Sequence, residues 1–156
     1  MPWSEWHPLE MENLAGEVVP DVPGIYEIRV KREIQRVRDS SRLMNIGRTI
    51  TNLRERVRQK ASDNDQLPAP LQWVKMHAGE SFEVRWLTAI SRNEAKVEEK
   101  VRLAQFVSRH WELPPGNDQG PQRIPDIGDY MGGQNPAITV EILESYAAIV
   151  GELGPI

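Results

Sequence analysis

Three short stretches of the chain carry the hydrophobic patterns of β-strands. Residues 25–31 and 82–90 alternate apolar and polar side chains, which predicts strands with one buried face. Residues 43–46 form a third, shorter apolar run that we expect Gly47 to stop. Because the runs at 25–31 and 43–46 are close in the chain, we predict that they pair as an antiparallel hairpin. Its long, charged tip would turn at residues 39–41.

The segment after Gly47 has the spacing of an amphipathic helix. We predict that this helix begins near Asn52, which can cap it, with Glu55 three residues later in a capping-box arrangement. Its apolar stripe repeats at helical spacing. The stripe consists of Ile50, Leu53, Val57 and Ala61.

Two further helices follow. The first would place Leu71, Val74 and Ala78 inward and end at Gly79. The second would begin at Ser91 or Asn93, run to about Arg109, and be ended decisively by residues 114–117, Pro-Pro-Gly-Asn. The predicted order is therefore strand, strand, helix, helix, strand, helix.

This order predicts one α+β domain with a small three-stranded antiparallel sheet flanked by helices. We assign residues 23–117 to that domain, which suits a chain of 156 residues. Residues 1–22 would form a segment packed onto the body by Trp3 and Trp6. Residues 118–156 would form a loop and a docking helix at 138–153.

Composition narrows the class of protein. The chain has no cysteine, so a disulfide scaffold and a thiolate metal site are excluded, and a reducing, cytoplasmic compartment is expected. No apolar run approaches the roughly 20 residues needed to span a bilayer, so no membrane partner is expected. The first residues have neither a basic leader nor an apolar stretch, so no secretory signal is expected.

Charge is distributed very unevenly. The chain carries a net charge of −4, yet between Arg29 and Lys60 there are eleven Lys or Arg residues against three acids. Such a cluster predicts a positively charged face suited to a phosphate backbone, with DNA as the partner. A merely solvated basic hairpin and helix explains the cluster equally well. The candidate contacts are Lys31 and Arg32 on the hairpin and Arg54, Arg58 and Lys60 on the helix.

Five short motifs in this part of the chain are found together in one known family. They are Pro-Gly-Ile-Tyr at 23–26, Asn-Ile-Gly-Arg at 45–48, Asn-Leu-Arg-Glu-Arg at 52–56, Glu-Glu at 98–99 and Pro-Pro-Gly-Asn at 114–117. In their order and in the predicted element that carries each, they resemble the GIY-YIG nuclease superfamily. The resemblance covers residues 23–117 and implies a metal-dependent endonuclease that hydrolyses DNA phosphodiester bonds.

The resemblance implies a glutamate that holds Mg²⁺, or Mn²⁺, on the late helix. Either Glu98 or Glu99 could fill this role, and we favour Glu99. It follows Ala95 by four residues, and on a helical wheel it lies towards the apolar side, whereas Glu98 lies nearer the solvent edge. A solvated helix surface is the alternative interpretation of both. Magnesium suits such a site because it keeps several waters when few oxygen ligands are offered.

The same resemblance implies roles for five further residues. Arg56 would stabilise the developing phosphate charge, and Tyr26 would hydrogen-bond the attacking water or act as general base. Arg48 replaces a lysine that relatives often place against the phosphate. Asn117 would fix the loop and the geometry of the metal site. Asn45 stands where the family carries its second tyrosine, and this departure concerns catalysis rather than fold.

Two other functions fit the sequence. One is a catalytically weak or inactive relative that binds nucleic acid through the basic hairpin and helix. The other is a protein-interaction module in which Trp3, Trp6, Trp73 and the predicted helix at 138–153 form a docking face. A nuclease of this size usually needs a partner domain or a homodimer for sequence specificity, and the sequence contains no separate DNA-reading module.

Overall fold

The structure, a computed structural model, describes residues 3–63, 66–89 and 91–117. The helix predicted at 138–153, with the rest of the segment 118–156, lies outside the described residues. The α+β class is confirmed. The strands are β1 (His7–Pro8), β2 (Gly24–Gln35), β3 (Ser40–Thr49) and β4 (Phe82–Thr88), and the helices are α1 (Leu53–Ser62), α2 (Ala69–His77) and α3 (Arg92–His110), with a 3₁₀ turn at Met11–Asn13.

The strands form one antiparallel sheet in the order β1-β4-β2-β3. Four strands replace the three that we predicted. The additional strand is β1, in which His7 pairs with Val84 and Pro8 with Glu83. Two residues, one of them proline, are too few to produce an alternating pattern, so the sequence carries no signal for this strand.

The hairpin of β2 and β3 is longer than predicted. Its turn lies at residues 36–39, where the Arg36 N–H donates to the Asp39 carbonyl at 2.9 Å and Asp39 adopts a left-handed φ of 61°. Gly47 does not end β3, which continues to Thr49. The outer part of the hairpin contacts the C-terminal end of α3, where the Arg38 N–H donates to the His110 carbonyl at 3.1 Å, but most of its side chains are polar, so it lacks the alternation that identifies a half-buried strand.

A β-bulge interrupts the pairing of β2 with β3. Ile28 pairs with Asn45, but the next residue of β2, Arg29, pairs with Leu43, which leaves Met44 as an extra residue. Met44 and Asn45 therefore point to the same side of the sheet instead of to opposite sides. The bulge lets Met44 pack among the residues under α1 while Leu43 packs under α3.

Helices cover both faces of the sheet. Leu53 and Val57 of α1 and Leu71 of α2 pack against one face, together with Ile28 and Val84 of the strands. On the other face, α3 lies along β3 and β2. The core beneath α3 contains Leu43, Ile46, Leu103 and Phe106. The sheet is thus the middle layer, and each of its strands presents side chains to two different sets of neighbours.

The predicted helix starts are confirmed by their caps. The Asn52 side chain accepts a hydrogen bond from the Glu55 N–H at 3.1 Å, and Ser91 does the same for the Glu94 N–H at 3.2 Å. Each cap satisfies one of the backbone donors that the first turn of a helix leaves unpaired. These contacts fix where α1 and α3 leave the sheet.

Helix α2 is less deeply packed than predicted. Leu71 is buried and Val74 is half-buried, but Ala78, which we expected to face inward, is exposed. Trp73 and Met76 on the outer side are 61% and 73% exposed. Among the described residues, no helix is long and apolar enough to cross a membrane.

Candidate functional site

An open groove of about 320 Å³ lies between the end of β3 and the first turns of α1. Its floor is polar, and it offers two guanidinium groups, those of Arg48 and Arg56, with the Glu55 carboxylate. The lining residues are Arg48, Thr49, Ile50, Thr51, Asn52, Glu55, Arg56 and Gln59. Such a groove suits an extended anionic ligand better than an apolar small molecule.

Tyr26 lies across Gly47, its partner in the pairing of β2 with β3. A Cβ atom at Gly47 would lie 2.4 Å from both Cζ and the hydroxyl oxygen of Tyr26, so the ring occupies the space that a side chain would need. Tyr26 is only 2% exposed. The glycine therefore allows the phenol to cross β3 towards the groove while remaining packed.

The surroundings of Tyr26 keep its phenol protonated at neutral pH. Burial raises the pKa of Tyr26, the charge and hydrogen bond of Arg56 act in the opposite direction with a smaller effect, and the Glu99 charge raises it further. The charges of Arg56 and Glu99 thus both act on this phenol. Residues from β2, α1 and α3 are therefore close enough to interact electrostatically.

Glu99 and Arg48 form an ion pair at the edge of the groove. The Arg48 Nη1 donates to Glu99 Oε1 at 2.7 Å, with 36% of the arginine side chain and 16% of the glutamate side chain exposed. Burial raises the pKa of Glu99, and the Arg48 guanidinium partly offsets this effect. We call Tyr26, Arg48, Arg56 and Glu99 the groove cluster.

Glu98 lies on the other side of α3 from where we expected it. It is 6% exposed and belongs to the buried side of the helix with Ala95 and Arg102, whereas Glu99 is half-buried. The expectation that Glu98 lies nearer the solvent was wrong. Arg102, one turn after Glu98 on the same side of the helix, is fully buried as well.

Asn117 joins the loop after α3 to the edge strand β3. Its Oδ1 accepts from the Ile46 N–H at 2.9 Å, and its Nδ2 donates to the Ile46 carbonyl at 2.8 Å. Asn45 supports this loop, since its Nδ2 lies 3.2 Å from the Gly116 carbonyl oxygen and 3.3 Å from Asn117 Oδ1. Both asparagines therefore hold the loop at residues 114–117, and neither lines the groove.

Two of the predicted DNA contacts on α1 bind the N-terminal segment instead. The Arg54 Nε donates to the Val19 carbonyl at 2.9 Å. Arg58 donates to the Leu14 carbonyl at 3.0 Å and to the Gly16 carbonyl at 2.8 Å. The positive charge of α1 is thus partly used to hold residues 14–21 against the body.

Lys60 is also turned inward. It is 6% exposed, and its ammonium donates to the Gln66 carbonyl. Burial, with a smaller contribution from the Arg56 charge, lowers the pKa of Lys60 to about 8. The two remaining candidates, Lys31 and Arg32, are exposed on the hairpin, where Arg32 pairs with Glu80 at 2.5 Å.

A second charged cluster, on the α3 side of the sheet, was not predicted from the sequence. Glu27 is completely buried and accepts from Arg102 and from Arg85, each at 2.7 Å. The Trp3 ring covers both arginines, with its centre 4.4 Å from the Arg85 guanidinium and 5.1 Å from that of Arg102. We call Glu27, Arg85 and Arg102 the buried cluster. The apolar residues of α3 were the one available signal, because they imply that this helix covers the polar face of β2.

The side chains present limit which metal the groove cluster could hold. Within residues 3–63, 66–89 and 91–117, no group of three or more histidine or carboxylate side chains comes together as a metal site. Glu99 is a single, partly exposed carboxylate beside a groove open to water. This donor set fits a magnesium ion that keeps most of its waters, and it does not fit zinc, which takes three or four protein ligands.

Comparisons of the chain with known protein families, with curated proteins and with solved structures find no match. Function is therefore inferred from the geometry and chemistry of the site itself.

Proposed function

We propose that this protein is an endonuclease of the GIY-YIG type, which hydrolyses DNA phosphodiester bonds with one Mg²⁺, or Mn²⁺, held by Glu99. The groove cluster carries this proposal. Tyr26, Arg48, Arg56 and Glu99 come from four separate motifs on β2, β3, α1 and α3, yet they converge beside one open, polar groove. Convergence of this kind is not required for packing, since only Tyr26 of the four is buried in a core.

In the hydrolysis, the oxygen of a water molecule bonds to phosphorus, the P–O ester bond breaks, and the leaving oxygen takes up a proton. Negative charge grows on the phosphate oxygens as this occurs. Arg56, a permanently charged planar fork lining the groove, is placed to donate to those oxygens. A bound Mg²⁺ would supply a further positive charge and a water of lowered pKa.

The role best supported for Tyr26 is that of a positioning residue. Because burial raises the pKa of its phenol, Tyr26 is a weak base at neutral pH. Because it is almost completely buried, it has little access to substrate. Its contact with Arg56 instead fixes the guanidinium at the groove. Tyr26→Phe should therefore reduce cleavage much less than Arg56→Ala does.

Arg48 links the carboxylate to the groove. It pairs with Glu99 at 2.7 Å, while about a third of its side chain stays exposed. The exposed part of the guanidinium can donate to a phosphate that enters the groove, so Arg48 is suited to hold the substrate backbone beside Glu99.

The test is cleavage of supercoiled plasmid by the purified protein with Mg²⁺ or Mn²⁺, compared with Glu99→Gln. We expect the variant to lose on the order of 100-fold or more in rate, since it removes the only carboxylate of the groove cluster. Glu112→Gln is the matched control, because Glu112 also pairs with an arginine, Arg36 at 3.1 Å, but does not line the groove. Cleavage that persists in Glu99→Gln would contradict the proposed metal site.

A second candidate function is nucleic-acid binding without cleavage. The position of Asn45 favours it, because the residue that replaces the family's second tyrosine is 6% exposed and turned towards residues 116–117, away from the groove. A wild type that binds plasmid at low salt but never cuts it, with either metal, would select this function.

The protein-interaction module has less support. Trp6 lies against the Arg29 guanidinium at 4.0 Å, and Trp3 lies over the buried cluster, so both rings are packed on the α3 side of the sheet. Trp73 is exposed on α2, which covers the opposite side. The three tryptophans do not form one docking face.

A further inference from the structure

A second cavity, of about 220 Å³, opens on the α3 side of the sheet, near the C-terminal end of α3. Four arginines line it, and their charges outnumber those of two glutamates. The lining residues are Trp6, Glu27, Arg29, Glu33, Ser40, Ser41, Arg42, Leu43, Arg85 and Arg109. We call this cavity the arginine pocket. It shares no lining residue with the groove, although β3 contributes residues to both.

Three of its arginines have donors available to a ligand. Arg42 and Arg109 are exposed and hold no hydrogen bond or ion pair with the part of the chain that the structure describes. Arg29 donates from Nε to Glu83 at 3.0 Å, which leaves its two terminal nitrogens without a partner among the described residues. The Trp6 ring lies 4.0 Å from the Arg29 guanidinium and restricts its orientation.

The two carboxylates of the pocket do not neutralise these arginines. Glu27 is completely buried and is committed to the buried cluster. Glu33 lies on the exposed hairpin and accepts from the Ser40 hydroxyl at 2.5 Å. Ser41 is 4% exposed, and its Oγ accepts from the Leu43 N–H at 3.1 Å, so its hydroxyl proton remains available as a donor.

We propose that the arginine pocket binds a phosphate group, through Arg42, Arg109 and the free nitrogens of Arg29, with the Ser41 hydroxyl at its base. Guanidinium groups match phosphate oxygens in geometry as well as charge, and a hydroxyl donor adds a short hydrogen bond to the same oxygens. The source that the structure favours is the backbone of the DNA that also occupies the groove. In this respect the proposal rests on the proposed function.

The spacing of the two sites supports that source. From Glu99 to Arg109 along α3 is ten residues, or about 15 Å at 1.5 Å per residue. From Arg48 to Arg42 along β3 is six residues, or roughly 20 Å. These lengths, about 15 to 20 Å, correspond to roughly four to six base-pair steps of 3.4 Å, so one short duplex is long enough to contact both the groove and the arginine pocket.

The experiment measures binding and not cleavage, so that its outcome is independent of catalysis. A fluorescent duplex of about 20 base pairs, two helical turns, is titrated in the Glu99→Gln background without metal over a series of salt concentrations. Arg42→Ala and Arg109→Ala are compared with Arg92→Ala, which removes an exposed arginine that lines neither site. In parallel, a nucleoside monophosphate is titrated by calorimetry with the same proteins.

We expect Arg42→Ala and Arg109→Ala each to weaken duplex binding several-fold and to reduce the slope of log affinity against log salt by about 1, with Arg92→Ala unchanged. If the duplex is unaffected but the monophosphate binds and loses affinity in these two variants, the pocket binds free phosphate compounds. If all three variants match the parent for both ligands, the proposal is overturned. A wild type that binds the duplex but does not cleave plasmid would instead contradict the proposed function and leave the arginine pocket unaffected.

Discussion

The groove cluster and the buried cluster each contain two arginines and a glutamate, to which the groove cluster adds Tyr26, but they differ in access to water. In the groove cluster, 36% of the Arg48 side chain and 16% of the Glu99 side chain are exposed. In the buried cluster, the side chains of Glu27 and Arg102 have no exposed surface. An arginine–carboxylate pair is thus not in itself a functional signal, and its environment decides what it can do.

Two adjacent residues of β2 belong to different clusters. Tyr26 and Glu27 are neighbours on β2, and because successive side chains of a strand point to opposite faces, one joins the groove cluster and the other the buried cluster. On the α1 side, Gly47 leaves room for the phenol to reach the groove. On the α3 side, the helix and Trp3 close over the carboxylate.

The buried cluster carries a net positive charge, because one carboxylate faces two guanidinium groups. Burial lowers the pKa of Arg85, while Glu27 raises it. Two features compensate for the lost hydration: hydrogen bonds within the cluster and the aromatic ring of Trp3 over both arginines. The cluster is therefore sensitive to removal of the carboxylate, whereas the groove cluster can exchange its contacts with water.

The largest expected effect follows from neutralising Glu27. Glu27→Gln leaves two buried arginines without their carboxylate, and we expect the free energy of unfolding to fall by about 3–5 kcal/mol. Denaturant unfolding measures this change. Glu83→Gln is the control, since Glu83 pairs with Arg29 in a partly exposed position and its loss should cost about 1 kcal/mol or less. Equal losses for the two variants would contradict the contrast between the clusters.

A side chain at Gly47 should disturb the groove cluster from within. In Gly47→Ala the new methyl group would meet Tyr26 at 2.4 Å, so we expect a loss of about 1–3 kcal/mol in stability and a matching loss of plasmid cleavage. The double variant Gly47→Ala with Tyr26→Ala should lose less stability than the sum of the two single variants, because the clash is absent. Strict additivity would show that the two residues do not meet.

Lys60 should make stability depend on alkaline pH. The pKa of Lys60 is about 8 in the folded protein, below its ordinary value of 10.5. Between these values the unfolded chain binds the extra proton, so this residue's contribution to stability rises with pH, by on the order of 1–2 kcal/mol. Lys60→Met should remove that rise, as measured by denaturant unfolding at pH 7 and pH 10. If the free energy of unfolding changes equally between pH 7 and pH 10 in both proteins, the Lys60 ammonium is exposed to water and the prediction is wrong.

The smallest expected change in stability is that of Glu99→Gln. Because Arg48 can be hydrated once its partner is neutral, we expect the free energy of unfolding to change by less than about 1 kcal/mol. The same variant is expected to abolish cleavage, so thermal unfolding and plasmid assays on one preparation separate the two effects. A loss as large as that of Glu27→Gln would make Glu99 a structural residue.

Local patterns were sufficient for the parts of the fold that local physics determines. Alternation located the inner parts of β2 and β4, and side-chain capping located the starts of α1 and α3. They were insufficient for β1 and for the outer hairpin. A two-residue strand has no period, and the outer hairpin carries too few apolar side chains to show an alternating pattern.

Residues of the candidate site could be predicted where a motif identified them. They could not be predicted where the orientation of a side chain depends on contacts with residues distant in the chain. Arg54 and Lys60 were predicted to contact DNA, but their side chains donate to the carbonyls of Val19 and Gln66. Glu98 and Glu99 were distinguished with a helical wheel of the apolar residues, whereas the fully buried Arg102 lies on the side of Glu98. The pairing of Arg102 with Glu27, 75 residues away, is invisible to any helical period.

The loop at residues 114–117 also affects how readily the protein associates with copies of itself. β3 is an edge strand, and the unpaired backbone groups of such an edge can add a strand from another molecule. Asn117 occupies both the N–H and the carbonyl of Ile46, and the Gly116 N–H occupies the carbonyl of Met44 at 2.6 Å. The loop therefore blocks self-association along β3, and loosening it should promote concentration-dependent aggregation before the domain unfolds.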